Sequence, residues 1–108
     1  MNWTAFDDGK SLGHRGCENG VIIADEEHLD GARISLERET GSASFAITCG
    51  VYDWMVHTRF FGTEGEGRRK YEAMKVDLAQ LASAQPTSGQ SASSKMITAV
   101  NAFVERFP

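Results

Sequence analysis

The chain has 108 residues, and its 11 basic and 15 acidic side chains give a formal net charge of −4. This length is typical of one domain with one hydrophobic core. The acidic balance argues against a nucleic acid as partner, because phosphate binding requires clustered positive charge.

The start of the chain and its cysteines indicate the compartment. Residues 1–8 contain neither the basic nor the apolar segment of a signal peptide. The longest apolar run, residues 21–24, is too short to span a bilayer. Cys17 and Cys49 are then more typical of reduced thiols than of a disulfide. We therefore expect a cytoplasmic protein with no membrane segment.

The first 62 residues are typical of strands separated by turns. Runs rich in β-branched and aromatic residues alternate with turn signals such as Asp30-Gly31. Five strands are predicted, near 2–7, 20–27, 32–38, 43–51 and 56–62. Between the first two, glycines predict an irregular, exposed connection; they stand at positions 9, 13, 16 and 20.

Two helices are predicted after the strands. Thr63 and Glu66 fit a capping box, and apolar residues recur at helical spacing after them, which predicts a helix over 64–83. A flexible connection is expected at about 84–93, where Pro, Gly and Ser cluster. The second helix begins near Ser93 or Ser94. Its apolar face contains Met96, Ile97, Val100, Phe103, Val104 and Phe107.

The register between strands is predicted from the pairing that keeps apolar residues together, since a slip of one residue turns every side chain to the other face. This criterion sets Leu36 opposite both Phe45 and Ile23, and Val51 opposite Val56. One buried face results; it contains Ile23, Ile34, Leu36, Phe45, Ile47, Cys49, Val51, Val56 and Phe60. Asp25 also falls on it and is expected at its rim.

The predicted fold is therefore a single α+β domain spanning residues 1–108. It has an antiparallel β-meander of about five strands, with two C-terminal helices packed on one face.

Cys49 and His57 raise the question of a nucleophile and its base. A Cys-His pair needs hydrogen-bond contact. The favoured register sets His57 opposite Gly50 and on the other face from Cys49, which predicts a buried, inert thiol. A three-residue loop would instead set Cys49 opposite His57 and Ile47 opposite Arg59.

The open face of the predicted sheet offers a candidate site. The same register aligns Glu26, Arg33, Thr48 and Arg59 in one row, with His57 one pair further along. Guanidinium groups bind carboxylates and phosphates through paired hydrogen bonds. We therefore predict an anion-binding patch formed by Arg33, Thr48, His57 and Arg59. The alternative is a solvated face stitched by exposed ion pairs of small energy.

Two shorter motifs give weaker signals. Gly9-Lys10-Ser11 matches the end of a phosphate-binding loop, but Thr4 stands where that motif requires a further glycine. His14 and Cys17 have the spacing of half a zinc site, but the remaining His and Cys residues are scattered. We therefore expect no metal and no cofactor.

Several segments together resemble a small family of uncharacterised bacterial proteins. They are Asp25-Glu26-Glu27, Gly31-Ala32-Arg33-Ile34-Ser35-Leu36-Glu37, Ile47-Thr48-Cys49-Gly50 and Met55-Val56-His57-Thr58. The resemblance covers roughly residues 9–80. It implies a bacterial cytosolic origin and no activity, so no catalytic residue is carried over.

Two functions remain open. The first is a non-catalytic binding or regulatory module, for example an immunity-type protein, that uses the open sheet face to bind another protein or a second copy. The second is a small domain or enzyme that binds an anion or metabolite through His57, Arg33 and Arg59. Fold class alone does not separate them.

Overall fold

The computed structural model describes residues 2–41, 43–52, 54–84 and 94–108. Its strands are β1 (Trp3–Ala5), β2 (Val21–His28), β3 (Ala32–Arg38), β4 (Phe45–Val51) and β5 (Met55–Phe61), and its helices are α1 (Glu64–Ala84) and α2 (Ser94–Arg106). These bounds agree with the predicted elements to within a few residues. From residue 85 onward, the predicted connection at about 84–93 lies outside the described residues.

The strands form one antiparallel sheet in the order β1-β2-β3-β4-β5. The predicted α+β class and five-stranded meander are thereby confirmed. None of the described helices is long and apolar enough to cross a membrane.

Helix α1 packs across β3 and β4. Its Tyr71, Met74 and Leu78 are buried in one cluster with Ile34 and Ile47 of the sheet. We call this side of the sheet the helix face. The opposite side, which carries Arg33, Ser35 and Thr48, is the groove face.

Helix α2 contacts α1, and its C-terminal end reaches β5. Phe103 and Phe107 are buried, and their rings lie 5.1 Å apart. Ile97 and Val104, which were expected on the buried face of this helix, are exposed. Among the side chains described from residue 97 onward, those at the C-terminal end therefore contribute most to the core.

A β-bulge between Ile22 and Ala24 changes the predicted pairing of β2 with β3. Beyond the bulge, Ala24 rather than Ile23 pairs with Leu36, and Glu26 pairs with Ile34 instead of Arg33. The extra residue turns Asp25 to the groove face, where it is buried, not at a rim.

The predicted β3–β4 register is wrong by two residues, because Leu36 pairs with Ile47 and not with Phe45. The connection, residues 39–44, is longer than expected. It is closed by Thr40, whose Oγ1 donates to the Ala43 carbonyl at 2.6 Å, and by Glu39, whose N–H donates to the Ser44 carbonyl at 2.8 Å. A slip of two keeps each side chain on its predicted face.

The predicted β4–β5 register is wrong by one residue, so every side chain of β5 lies on the other face. Cys49 pairs with His57 and Val51 with Met55, across the three residues 52–54. Val56 and Phe60, expected in the core, are 79% and 42% exposed.

Candidate functional site

The predicted anion patch is divided between the two faces of the sheet. Arg33 and Thr48 lie on the groove face. His57 and Arg59 pair with Cys49 and Ile47, so both lie on the helix face. The Arg59 guanidinium lies 4.9 Å from the ring of its own neighbour Phe61. The four residues therefore do not form one patch.

Cys49 and His57 lie opposite each other on the same face of the sheet, and not on different faces as predicted. Even so, they do not form a nucleophile and its base. Nε2 of His57 donates to the carbonyl of Phe107, and its ring contacts Phe103. Cys49 is 2% exposed, and burial raises the pKa of its thiol to about 12. A thiol held protonated in this way is a poor nucleophile.

The connection between β1 and β2 covers part of the groove face rather than extending into solvent. Glu37, fully buried on this face, accepts hydrogen bonds from the backbone N–H groups of Glu18 and Gly20 at 3.0–3.3 Å. A Cβ at Gly16 would lie 2.3 Å from the Glu37 carboxyl carbon. The absence of a side chain at Gly16 therefore allows the loop to approach this carboxylate.

A groove of about 830 Å³ remains between this loop and the β4–β5 hairpin. The described residues that line it are Arg15, Gly16, Cys17, Ile22, Arg33, Ser35, Thr48, Cys49, Gly50, Val51, Tyr52, Trp54, Met55 and Val56. Most are apolar or aromatic, with a few hydroxyl and guanidinium groups among them. This volume and composition are typical of small-molecule sites.

Arg33 is held rigidly in the groove. Its Nε and Nη2 donate to the two carboxylate oxygens of Asp25 at 3.0 and 2.7 Å, and its guanidinium carbon lies 3.5 Å from the centre of the Phe6 ring. The hydrogen bonds to Asp25 raise the pKa of Arg33. Phe6 is brought there by a turn, Phe6–Gly9, in which Asp7 and Asp8 have positive φ.

Thr48 is the other polar feature of the groove. It lies directly opposite Ser35 on β3 and diagonally from Arg33. Its Oγ1 is buried and has no hydrogen-bond partner among the described residues. A buried hydroxyl without a partner costs stability, so this atom is a candidate contact for a ligand.

A second polar cluster lies on the helix face and connects α1 to β2. Glu26 accepts hydrogen bonds from Tyr71 Oη at 2.8 Å and from Lys75 Nζ at 2.9 Å. Burial, together with Glu26, raises the pKa of Tyr71. Every polar end in this cluster is paired within the protein, which is typical of a structural contact.

Sequence reasoning identified Arg33 and Thr48 but missed the loop residues that complete the groove. Arg15, Gly16 and Cys17 were assigned to an exposed connection, and its approach to the groove face was not predicted. The burial of Glu37, which holds the loop in place, has no local signal in the sequence. Within the described ranges, no group of three or more metal-ligating side chains comes together.

Comparisons of the chain with protein-family models, with curated proteins and with solved structures found no match. The resemblance to uncharacterised bacterial proteins therefore stays a prediction.

Proposed function

We propose that this protein is a non-catalytic binding module that holds a small molecule with an apolar body in the groove. The observation that supports this proposal is the groove itself, about 830 Å³ in volume and lined mainly by apolar and aromatic side chains. Concave sites of this size bury most of the surface of a small ligand.

The cysteines provide a way to test the proposal. Cys17 is exposed and lines the groove, whereas Cys49 is buried. A bound naphthalene compound, used as 1-naphthoate or 1-naphthamide, should therefore slow the alkylation of Cys17 by iodoacetamide. Mass spectrometry of the labelled peptides measures the rate for each cysteine separately.

Two exposed apolar residues give a matched pair of variants. Val56 lines the groove and is 79% exposed, while Leu29 is 80% exposed and lies in the β2–β3 turn, away from the groove. Val56→Asp should abolish the protection of Cys17, and Leu29→Asp should retain it. Unchanged alkylation of the wild-type protein with every probe, or equal loss in both variants, would refute the proposal.

A second candidate function, binding of a protein partner, is favoured by strand β5. It is the last strand of the sheet, and no described residue makes a backbone hydrogen bond to its outer side. Val56 and Phe60 expose apolar surface on this edge. Exposed edges bind an added strand from a partner, as an immunity-type protein or a homodimer would require.

Native mass spectrometry tests this second function with a second copy as the partner. A dimer should form in the wild type and be lost in Phe60→Lys, because a lysine on an edge strand opposes pairing. Val76→Lys, on an exposed position of α1, is the control and should leave the dimer intact. A wild-type protein that is monomeric at high concentration would exclude self-association through β5.

A further inference from the structure

We infer that the ligand of the groove is an aromatic carboxylate whose anionic end lies against Thr48 and Arg33. This inference rests on the proposed function and adds the chemical class of the ligand. Three features of the groove support it: a hydroxyl with no partner among the described residues, a preorganised guanidinium and the positive charge of the lining.

The Thr48 hydroxyl supplies the first contact. Its Oγ1 is buried in the groove floor without a partner among the described residues, so its proton is available to an acceptor. An acceptor that enters the groove restores the hydrogen bond lost on folding. A purely apolar ligand would leave this hydroxyl unpaired.

Arg33 supplies the second contact. Nε and Nη2 are bonded to Asp25, and no hydrogen bond occupies Nη1 in the described part of the chain. Because the guanidinium is already fixed between Asp25 and Phe6, it loses little conformational freedom on binding. Nη1 and Thr48 Oγ1 are therefore the two donors of the groove that we assign to the carboxylate of the ligand.

The groove lining itself carries positive charge, and the carboxylates beside it are already bonded. Arg15 and Arg33 both line the groove, while the described lining contains no Asp or Glu side chain. Glu27, opposite Arg33, accepts from Tyr52 Oη, and Glu37 accepts from backbone N–H groups. Asp25, the nearest carboxylate to Arg33, has a fully buried side chain and gives both oxygens to the guanidinium. Trp54 and Val56 provide apolar surface for the body of the ligand.

Two probes of the same shape separate charge from apolar contact. Isothermal titration of the wild-type protein should show 1-naphthoate binding about ten-fold or more tightly than the neutral 1-naphthamide, because hydrogen bonds to a charged acceptor are the stronger ones. Arg15→Gln should reduce this preference and its dependence on salt concentration.

A pair of isosteric variants tests the Thr48 contact. Thr48→Val removes only the unpaired hydroxyl, so the melting temperature should not fall, whereas the affinity for 1-naphthoate should fall about ten-fold. Thr58→Val is the matched control, since Thr58 pairs with Thr48 across β4 and β5 but does not line the groove. It should leave the affinity unchanged.

The outcomes distinguish this inference from the proposed function. Equal affinities for the two probes, or an unchanged affinity in Thr48→Val, would overturn the carboxylate assignment while the groove remains a binding site. Failure of both probes to bind would overturn the proposed function and the inference together.

Discussion

At the scale of single residues, Glu37 determines the shape of the groove. It holds the loop of Glu18 and Gly20 against a sheet face that would otherwise be open to solvent. A carboxylate buried at this depth is stable only because the backbone N–H groups replace water as donors. The wall of the groove therefore depends on the hydrogen bonds that this one carboxylate accepts.

We expect Glu37→Gln to lower the free energy of unfolding by about 2–4 kcal/mol. The glutamine keeps one acceptor oxygen but turns an N–H₂ group, itself a donor, toward backbone N–H groups. Urea denaturation measures the loss. Glu105→Gln, at an exposed position of α2, should change stability by less than about 0.5 kcal/mol. A variant as stable as the wild type would show that the loop does not need the charge.

The sequence does not distinguish Glu37 from the other polar residues of its strand. Arg33, Ser35 and Glu37 alternate with apolar residues, which correctly predicts the face on which they lie. Whether that face meets water or a loop depends on where residues 10–20 fold. Burial of Glu37 and the groove beside it are therefore tertiary properties that a strand pattern does not contain.

At the scale of elements, α1 is connected to β2 by a buried polar contact. Tyr71 and Lys75 both donate to Glu26, and Lys75 lies almost completely buried. A second tyrosine, Tyr52, makes a similar bond to Glu27, also at 2.8 Å, but at the surface. The two bonds differ mainly in exposure, since Tyr71 is 4% exposed and Tyr52 is 47% exposed.

The two tyrosines allow the effect of burial to be measured. Tyr71→Phe should lower the free energy of unfolding by about 1–3 kcal/mol, because it removes a hydrogen bond that a buried hydroxyl donates to a carboxylate. Tyr52→Phe removes a bond of the same length, but water replaces it, so the change should be below about 0.5 kcal/mol. Guanidinium denaturation of both variants measures these values. Equal losses would contradict the role assigned to burial.

The bounds of the elements could be predicted from the sequence, but the pairing of the strands could be predicted only in part. The bounds of β2–β4 and α1 follow from local composition, so they could be predicted. The β4–β5 register could not be predicted, because apolar pairing within the hairpin favours a register in which Val56 lies on the buried face. The observed register instead buries Phe61 and brings His57 to Phe103 and Phe107. Those partners lie more than 40 residues away in the sequence, so pairing within the hairpin alone could not predict this register.

At the scale of the whole molecule, the end of α2 completes the core. Phe103 and Phe107 belong to the same buried cluster as Ile47 and Leu78, although α2 has more contact with α1 than with the sheet. The carbonyl of Phe107 also accepts the hydrogen bond from His57. The last turn of the chain therefore links a helix, a strand and the core.

Replacing Phe107 tests this link. Phe107→Ala should lower the free energy of unfolding by about 3–5 kcal/mol, as is typical of a fully buried aromatic ring. Val104→Ala, one turn away on a partly exposed position, should cost less than about 1 kcal/mol. Thermal unfolding followed by circular dichroism compares them. Similar melting temperatures for both variants would show α2 to be a peripheral attachment.

The meander has a consequence for the kinetics of folding. Each strand pairs only with its neighbours in the chain, and the β2–β5 connections are three to six residues long. Closing such short loops costs little entropy, and proteins rich in local contacts fold quickly. The contact between His57 and Phe107, in contrast, joins residues 50 positions apart. The hairpins should therefore form early, and the slow step should be the arrival of the C-terminal segment.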